Sequence, residues 1–332
     1  MKKKTIGNKE NTYSIFNVKN LLIVAAIIVV FFVIDYLFSY NILNRQYRSL
    51  LVPIFVNIIL AVSLNLTTGF LGELSLGHAG FMAIGAYTGA ILTTRSNLPE
   101  VVEFILAIIL GGLVAAIFGI LIGVPVLRLK GDYLAIVTLA FGEIIRSVIN
   151  SLDITGGAMG LSKIPKYSNY KWGYVLTIIT IILIANLVKS RHGRAIIAIR
   201  ENYIAAEAMG IKVSKYKILA FVIAAFFAGI AGVLYGHNLS ILKPGSFDYN
   251  KSIEVLVIVV LGGMGSIRGS VIAAIILTIL PEFLRAANDY RMLLYAIVLI
   301  AMMLYNQSGI RTKLEESGKM PRLPFLNRNK VK

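Results

Sequence analysis

Apolar runs of about 20 residues, the length that crosses bilayer hydrocarbon as a helix, recur along this chain. Inside a bilayer no water pairs with the backbone, so only helices or closed barrels can span it. A barrel would show short segments of alternating polarity, and these runs are continuous. The expected fold is therefore all-α, a polytopic helical membrane protein. Composition agrees, because 57% of residues are hydrophobic and only 15% are charged, against roughly 25% charged in a soluble domain.

Hydropathy predicts about ten spans: Leu21 to Tyr40, Leu50 to Leu66, Leu76 to Thr93, Val102 to Leu127, Tyr133 to Asn150, Trp172 to Val188, Ile218 to Leu239, Ile253 to Met264, Ser270 to Leu284 and Met292 to Tyr305. They form a transmembrane body over 21–305, with basic tails at 1–20 and 306–332. The first run follows a Lys-rich start without a small-residue cleavage site, which reads as a retained span. The net charge of +17 sits mostly in the tails and in one central segment, 189–217. Basic charge confined to tails and loops marks the cytoplasmic side. Ten crossings put both termini and the central segment there. The loop Ser151 to Lys171 falls outside although it carries Lys163, Lys166 and Lys171. Nucleic-acid binding would need a folded basic face with base-reading elements, and none is present.

The central segment carries Lys189, Arg191, Arg194, Arg200, Lys212, Lys215 and Lys217. From Ala195 to Met209, Ile196, Ile199, Ile204 and Ala208 recur at helical spacing with Arg200, Glu201 and Glu207 between them. This predicts a short helix along the membrane surface, either solvated or docked on a cytosolic partner.

Two glycine-rich stretches interrupt the apolar pattern, Thr68 to Gly80 and Leu261 to Ser270. Broken helices at membrane depth survive only where protein or water covers them, and paired breaks often mark a transport path. Glu73, Gly77, His78, Gly80, Gly262 and Gly263 are the candidate path residues. A lone histidine such as His78 also serves as a hydrogen-bonded packing residue. Glu143 and Arg146 can pair at i, i+3, as can Glu282 and Arg285. Small residues spaced by four, Gly85/Gly89, Gly119/Gly123 and Gly232/Gly236, suit close helix packing. There is no cysteine, and phosphate-loop, zinc-protease and nucleophile-elbow patterns are absent, so no catalytic activity is expected.

Five blocks in order closely resemble permease subunits of branched-chain amino acid ABC transporters, the second (LivM-type) of two paired permeases. They are Leu74 to Phe81 with Gly85-Ala86-Tyr87, Gly131 to Glu143, Thr155-Gly156-Gly157 with Gly160-Leu161, Gly193 to Lys217, and Val260 to Ser266. The resemblance, over about 50–305, implies an importer with a second homologous permease, two cytoplasmic ATPase subunits that use ATP and magnesium, and an extracytoplasmic substrate-binding protein. It implies that a cytoplasmic coupling helix within Ala195 to Gly210 contacts the ATPase. The residues assigned there are Arg194, Arg200, Glu201, Ala205, Ala206, Glu207 and Gly210. Ile204 stands where such importers carry a Glu. The resemblance also places Thr155, Gly156, Gly157 and Gly160 on the binding-protein side, although these glycines equally suit an ordinary turn. Urea importers use similar permeases. An ion-gradient transporter would need a relay such as Glu143 with Arg146, and a passive channel conflicts with the dense glycine packing.

A tag after Ser214 should be accessible only from the cytoplasm, and one near Ser168 only from outside. Accessibility of both from one side would show that the fifth and sixth spans are miscounted.

Overall fold

A computed structural model describes residues 45–284, except 97, 128 and 130, and the isolated positions 29, 32, 35, 36, 293, 296, 297 and 300. The chain divides into two units, Met1–Arg48 and Ser49–Lys332. In the first, Val29, Phe32 and Tyr36 are helical and exposed. The first and tenth predicted spans, both basic tails and Arg285 lie outside the described stretch.

The second unit is helical. α1 (Arg45–Asn65) passes into a wide turn, Leu66–Leu71. Then come α2 (His78–Arg95), α3 (Glu100–Val126), α4 (Asp132–Ser151) and α5 (Tyr170–Lys189). The basic segment forms α6 (Arg191–Glu201) and α7 (Tyr203–Ala208). α8 (Val213–Leu239), α9 (Tyr249–Gly262) and α10 (Ile267–Phe283) complete the unit. Among the described residues, five helical stretches are long and apolar enough to cross a membrane: Ser49–Leu71, Glu100–Val126, Asp132–Ser151, Tyr170–Lys189 and Val213–Leu239. α2, α9 and α10 occupy three further predicted segments, but α9 and α10 have only 14 and 17 residues.

Side-chain caps set several helix starts. Asn169, Ser190, Asp248 and Ser266 each accept a backbone N–H three residues ahead, satisfying donors that a helix leaves orphaned at its N-terminus. A cap also corrects the expectation of one helix over Ala195 to Met209. Asn202 Oδ1 accepts from the N–H groups of Ile204 and Ala205, both at 3.0 Å. This ends α6, starts α7 and turns the chain between them.

The stretch from Val52 through the wide turn to Leu71 is buried almost continuously. α2, α3 and α8 pack on one another through glycine. A Cβ on Gly229 would lie 2.6 Å from both Ala115 Cβ and the Gly111 carbonyl oxygen, and one on Gly119 would lie 2.9 Å from Ala225 Cβ. Gly85 meets the Gly229 backbone, and Gly232 meets the Met82 carbonyl. The expected small-residue pairs therefore sit at close helix contacts. The opposite face of α3 exposes Ile105, Ile109, Leu113, Ile117 and Ile120, a continuous apolar surface suited to lipid.

Replacing Gly229 with Ala should lower stability by about 1–3 kcal/mol, because the obstructing carbonyl belongs to a packed backbone. Gly245→Ala, with nothing within 4 Å of its Cβ, should leave thermal unfolding in detergent unchanged.

Candidate functional site

The site lies where the chain's two helix breaks meet the basic segment. After α1, the wide turn ends at Gly72, whose φ of 82° is left-handed, a conformation that glycine adopts without steric cost. Residues 72–77 then run without helix before His78 starts α2. Their polar groups find partners from distant elements. Leu76 N donates to Thr138 Oγ1 at 3.0 Å, and Ala79 N to Ser252 Oγ at 3.0 Å. His78 Nε2 pairs with Ser63 Oγ at 2.9 Å. The buried hydroxyls of Thr68 and Ser75 find no partner among the described residues.

The second break, between α9 and α10, turns through Gly263 and Gly265, at φ 89° and 83°. It docks on the first through α1. Gly265 N donates to Asn65 Oδ1 at 2.8 Å, and Asn65 Nδ2 donates to Ser270 Oγ at 3.0 Å. The two glycine-rich breaks are thus neighbours.

The basic segment is seated on this junction. Ile196, Ile199 and Ala206 form one buried cluster with Leu66, Phe70 and Leu71 of the wide turn and Ala220 of α8. Arg200 Nη1 donates to the Gly69 carbonyl at 2.7 Å. The same nitrogen would stand 3.1 Å from a Cβ on Gly265. One guanidinium thus touches the first break and approaches the second. Beside it Lys217 Nζ pairs with Glu73 Oε1, their side chains only 10% and 16% exposed. A cavity of about 400 Å³ opens here, lined by Gly72, Glu73, Asp132, Arg200, Tyr203 and Lys217 among others.

The expected coupling residues separate into two groups. Ala206 is buried against the chain itself, while Ala205, Glu201 and Glu207 are exposed. Glu201 lies 3.9 Å from Arg200 Nε. Arg194 is tied to the Lys189 carbonyl at 3.2 Å. Gly210, at φ 82°, closes α7: its N–H bonds to Glu207 O at 2.9 Å and that of Ile211 to Ala206 O at 3.1 Å. This bond pattern favours glycine at that position. The segment also presents Ile204 at 63% and Met209 at 84% exposure.

The candidate path glycines lie at close backbone contacts. A Cβ on Gly77 would lie 2.6 Å from Thr138 O, one on Gly80 2.9 Å from Gly142 Cα, and one on Gly262 2.6 Å from Gly269 O. Gly263 caps α9. Sequence reasoning missed Asn65, Thr138, Ser252 and Ser270. Thr138 is an isolated polar residue in an apolar run, and that isolation was the available signal; Asn65, Ser252 and Ser270 stand among other polar residues and carried none.

At the opposite end of the bundle, Thr155 is buried and donates to the Leu152 carbonyl at 2.6 Å. Gly156, Gly157 and Gly160 all adopt positive φ. Leu161 and Leu242 exchange backbone bonds at 2.9 Å, which pins this loop to the one after α8. Tyr167 donates to Glu103 Oε2 at 2.7 Å. Its phenol is pushed up to about 12 by that bond first, then by burial and neighbouring negative charge.

Residues 46–303 match the family model described as "Branched-chain amino acid transport system / permease component". The chain is 39% identical over 290 residues to the "High-affinity branched-chain amino acid transport system permease protein LivM" of Salmonella typhimurium, covering 77% of this chain and 67% of the relative. The LivM protein of Escherichia coli K12 matches to the same extent. The E. coli LivH permease protein is 30% identical over 140 residues, 41% of this chain and 45% of its own. No solved structure is a significant match.

The buried ion pair provides a check on the junction. Lys217→Met alone should cost about 3–5 kcal/mol by leaving the Glu73 carboxylate unpartnered. Adding Glu73→Gln should recover most of that loss in thermal unfolding, the non-additivity expected of a coupled pair.

Proposed function

The chain belongs to the family of permease components of branched-chain amino acid transport systems, and from that membership we propose that it is the membrane-spanning subunit of an ATP-driven importer that moves branched-chain amino acids by alternating access. It is a multi-pass helical membrane protein. A second homologous permease would complete the membrane unit, and the likeness to LivH as well as LivM supports a pair. Two cytoplasmic ATPases would bind ATP and magnesium and supply the energy. An extracytoplasmic binding protein would deliver solute near the loop Thr155 to Gly160. With about ten spans, both termini and the basic segment lie on the cytoplasmic side of the cell membrane, which agrees with the positive-inside rule.

The observation that carries the mechanism is the seating of α6 and α7 on the two helix breaks. Ile199, Arg200 and Ala206 face inward to the junction, while Ile204 and Met209 face away from it. In this reading α7 is the coupling element, and its outward apolar side chains enter a cleft of the ATPase. ATPase closure displaces α7. Arg200 then carries that displacement to the Gly69 turn and the Gly265 turn together. The charge-assisted bond from Arg200 is worth roughly 1.5–3 kcal/mol, enough to keep α6 and the turn moving as one body.

Reconstitution with the second permease, both ATPases and the binding protein should give ATP-dependent leucine uptake that excess urea does not inhibit. Ile204→Asp and Met209→Asp should leave the folded permease in the membrane but release the ATPases. Ala206→Glu should instead reduce the amount of folded protein, because its charge enters the buried cluster. Retention of the ATPases by both aspartate variants, with normal uptake, would reject α7 as the coupling element.

A further inference from the structure

α4 presents two different outward faces. Tyr133, Val137, Ile144 and Val148 form an exposed apolar face. Glu143, Arg146, Ser147 and Asn150 recur at i, i+3, i+4 and i+7, which places them on another face of the same helix, roughly a quarter turn away. The Arg146 and Glu143 side chains are 39% and 28% exposed, with Arg146 Nη2 to Glu143 Oε2 at 2.7 Å. Ser147 and Asn150 are also exposed.

α9 extends this polar face. Glu143 Oε1 accepts from Tyr249 N at 3.0 Å, which joins the two helices. Asn250 is exposed, and the Glu254 side chain is 41% exposed, 3.0 Å from Lys251 Nζ. Lys251 Nζ also reaches Asn57 Oδ1 on the buried α1, at 3.2 Å. The start of α9 lies below the end of the bundle. Ser252 binds Ala79 at the beginning of α2, and α2 packs along the later half of α8, from Gly85 on Gly229 to Thr93 on His237. Glu143 and the start of α9 therefore sit at membrane depth, with Ser147 and Asn150 rising from them toward the end of α4. Lipid is a poor cover for this polar face, since each charge near the centre of a span costs about 2.5–3.5 kcal/mol. Gly77, Gly80 and Gly262 are closed by backbone contacts, and the cavity beside Glu73 and Lys217 opens at the basic segment and the start of α4, not along residues 143–150.

We propose that the α4–α9 face lines the water-filled solute path and holds an α-amino acid in transit, Arg146 binding its carboxylate and Glu254 its ammonium group. The proposal rests on the importer reading and deepens it. The face offers both charges that a zwitterion needs, on helices fixed to each other by Glu143. The Arg146 guanidinium suits a planar carboxylate. Side chains of the solute would then meet apolar neighbours such as Ile253, itself 40% exposed.

The chain has no cysteine, so single cysteines report cleanly. In the assembled transporter, Ser147→Cys and Asn250→Cys should react with a charged, membrane-impermeant methanethiosulfonate at least tenfold faster than Ile144→Cys and Val148→Cys. Leucine-loaded binding protein with ATP should slow that reaction. Arg146→Gln and Glu254→Gln should each reduce leucine uptake at least tenfold while the ATPases still co-purify, and Arg146→Lys should restore part of it. Equal or absent labelling at the four positions would overturn the proposal and mark the face as covered by the second permease. Normal uptake by both glutamine variants would overturn it as well. Failure of the unsubstituted assembly to show any ATP-dependent uptake would instead overturn the importer reading, while the labelling would still report whether the face is wet.

Discussion

A backbone break inside a membrane needs hydrogen-bond partners from its own protein, and much of this structure is arranged to provide them. Between Leu66 and His78 the chain leaves the regular helix. Thr138 on α4 and Arg200 on α6 each supply one group to that stretch, and Ser252 on α9 supplies one to Ala79 just beyond it, in the first turn of α2. These partners come from residues far apart in sequence, so the break draws three elements to one place. An unpaired backbone group in hydrocarbon would cost several kcal/mol, more than the bend itself needs to be worth. The break is therefore stable only as part of the assembled bundle.

That dependence also ties the junction to the basic segment. A helix with all its bonds internal can slide past a neighbour with little consequence. A turn whose carbonyl is held by Arg200 cannot move without α6. The buried Glu73–Lys217 pair adds a second tie, between the extended stretch and α8. Elsewhere the unit is built for rigidity, with glycine contacts between α2, α3 and α8 that bring backbones together. A rigid glycine-packed core beside a polar, side-chain-held junction divides the molecule into a part that resists deformation and a part that can transmit it.

Polar groups on the spans fall into two populations. Those on α1 are buried and paired: Asn57 with Thr278, Ser63 with His78, Asn65 with Ser270 and Gly265. They fix the positions of neighbouring helices. Glu143 and Arg146 on α4 and Glu254 on α9 are partly exposed, unlike the buried and paired Thr138 and Ser252. Exposure of those three charges to lipid would be costly, so their surroundings must be wet or covered by another chain.

The sequence by itself determined the all-helical membrane architecture, because runs of apolar residues of bilayer length admit no other backbone solution with internal hydrogen bonds. It located most of the helices now described and showed that the basic segment was patterned. It also marked both glycine-rich breaks and the Glu143–Arg146 pair, since departures from an apolar pattern are visible residue by residue. It did not show that Asn202 divides the basic segment, because a cap depends on the backbone angle at one residue and not on periodicity. Nor did it distinguish Ala206, buried in the chain, from Ile204, exposed on the same short helix. That choice follows from which face meets Phe70 and Leu71. Only the tertiary structure decided that Arg200 binds a carbonyl 131 residues away in sequence and that the two breaks touch through Asn65. The physical reason is that helical periodicity is local, whereas the partners that satisfy a broken helix are set by how distant spans pack.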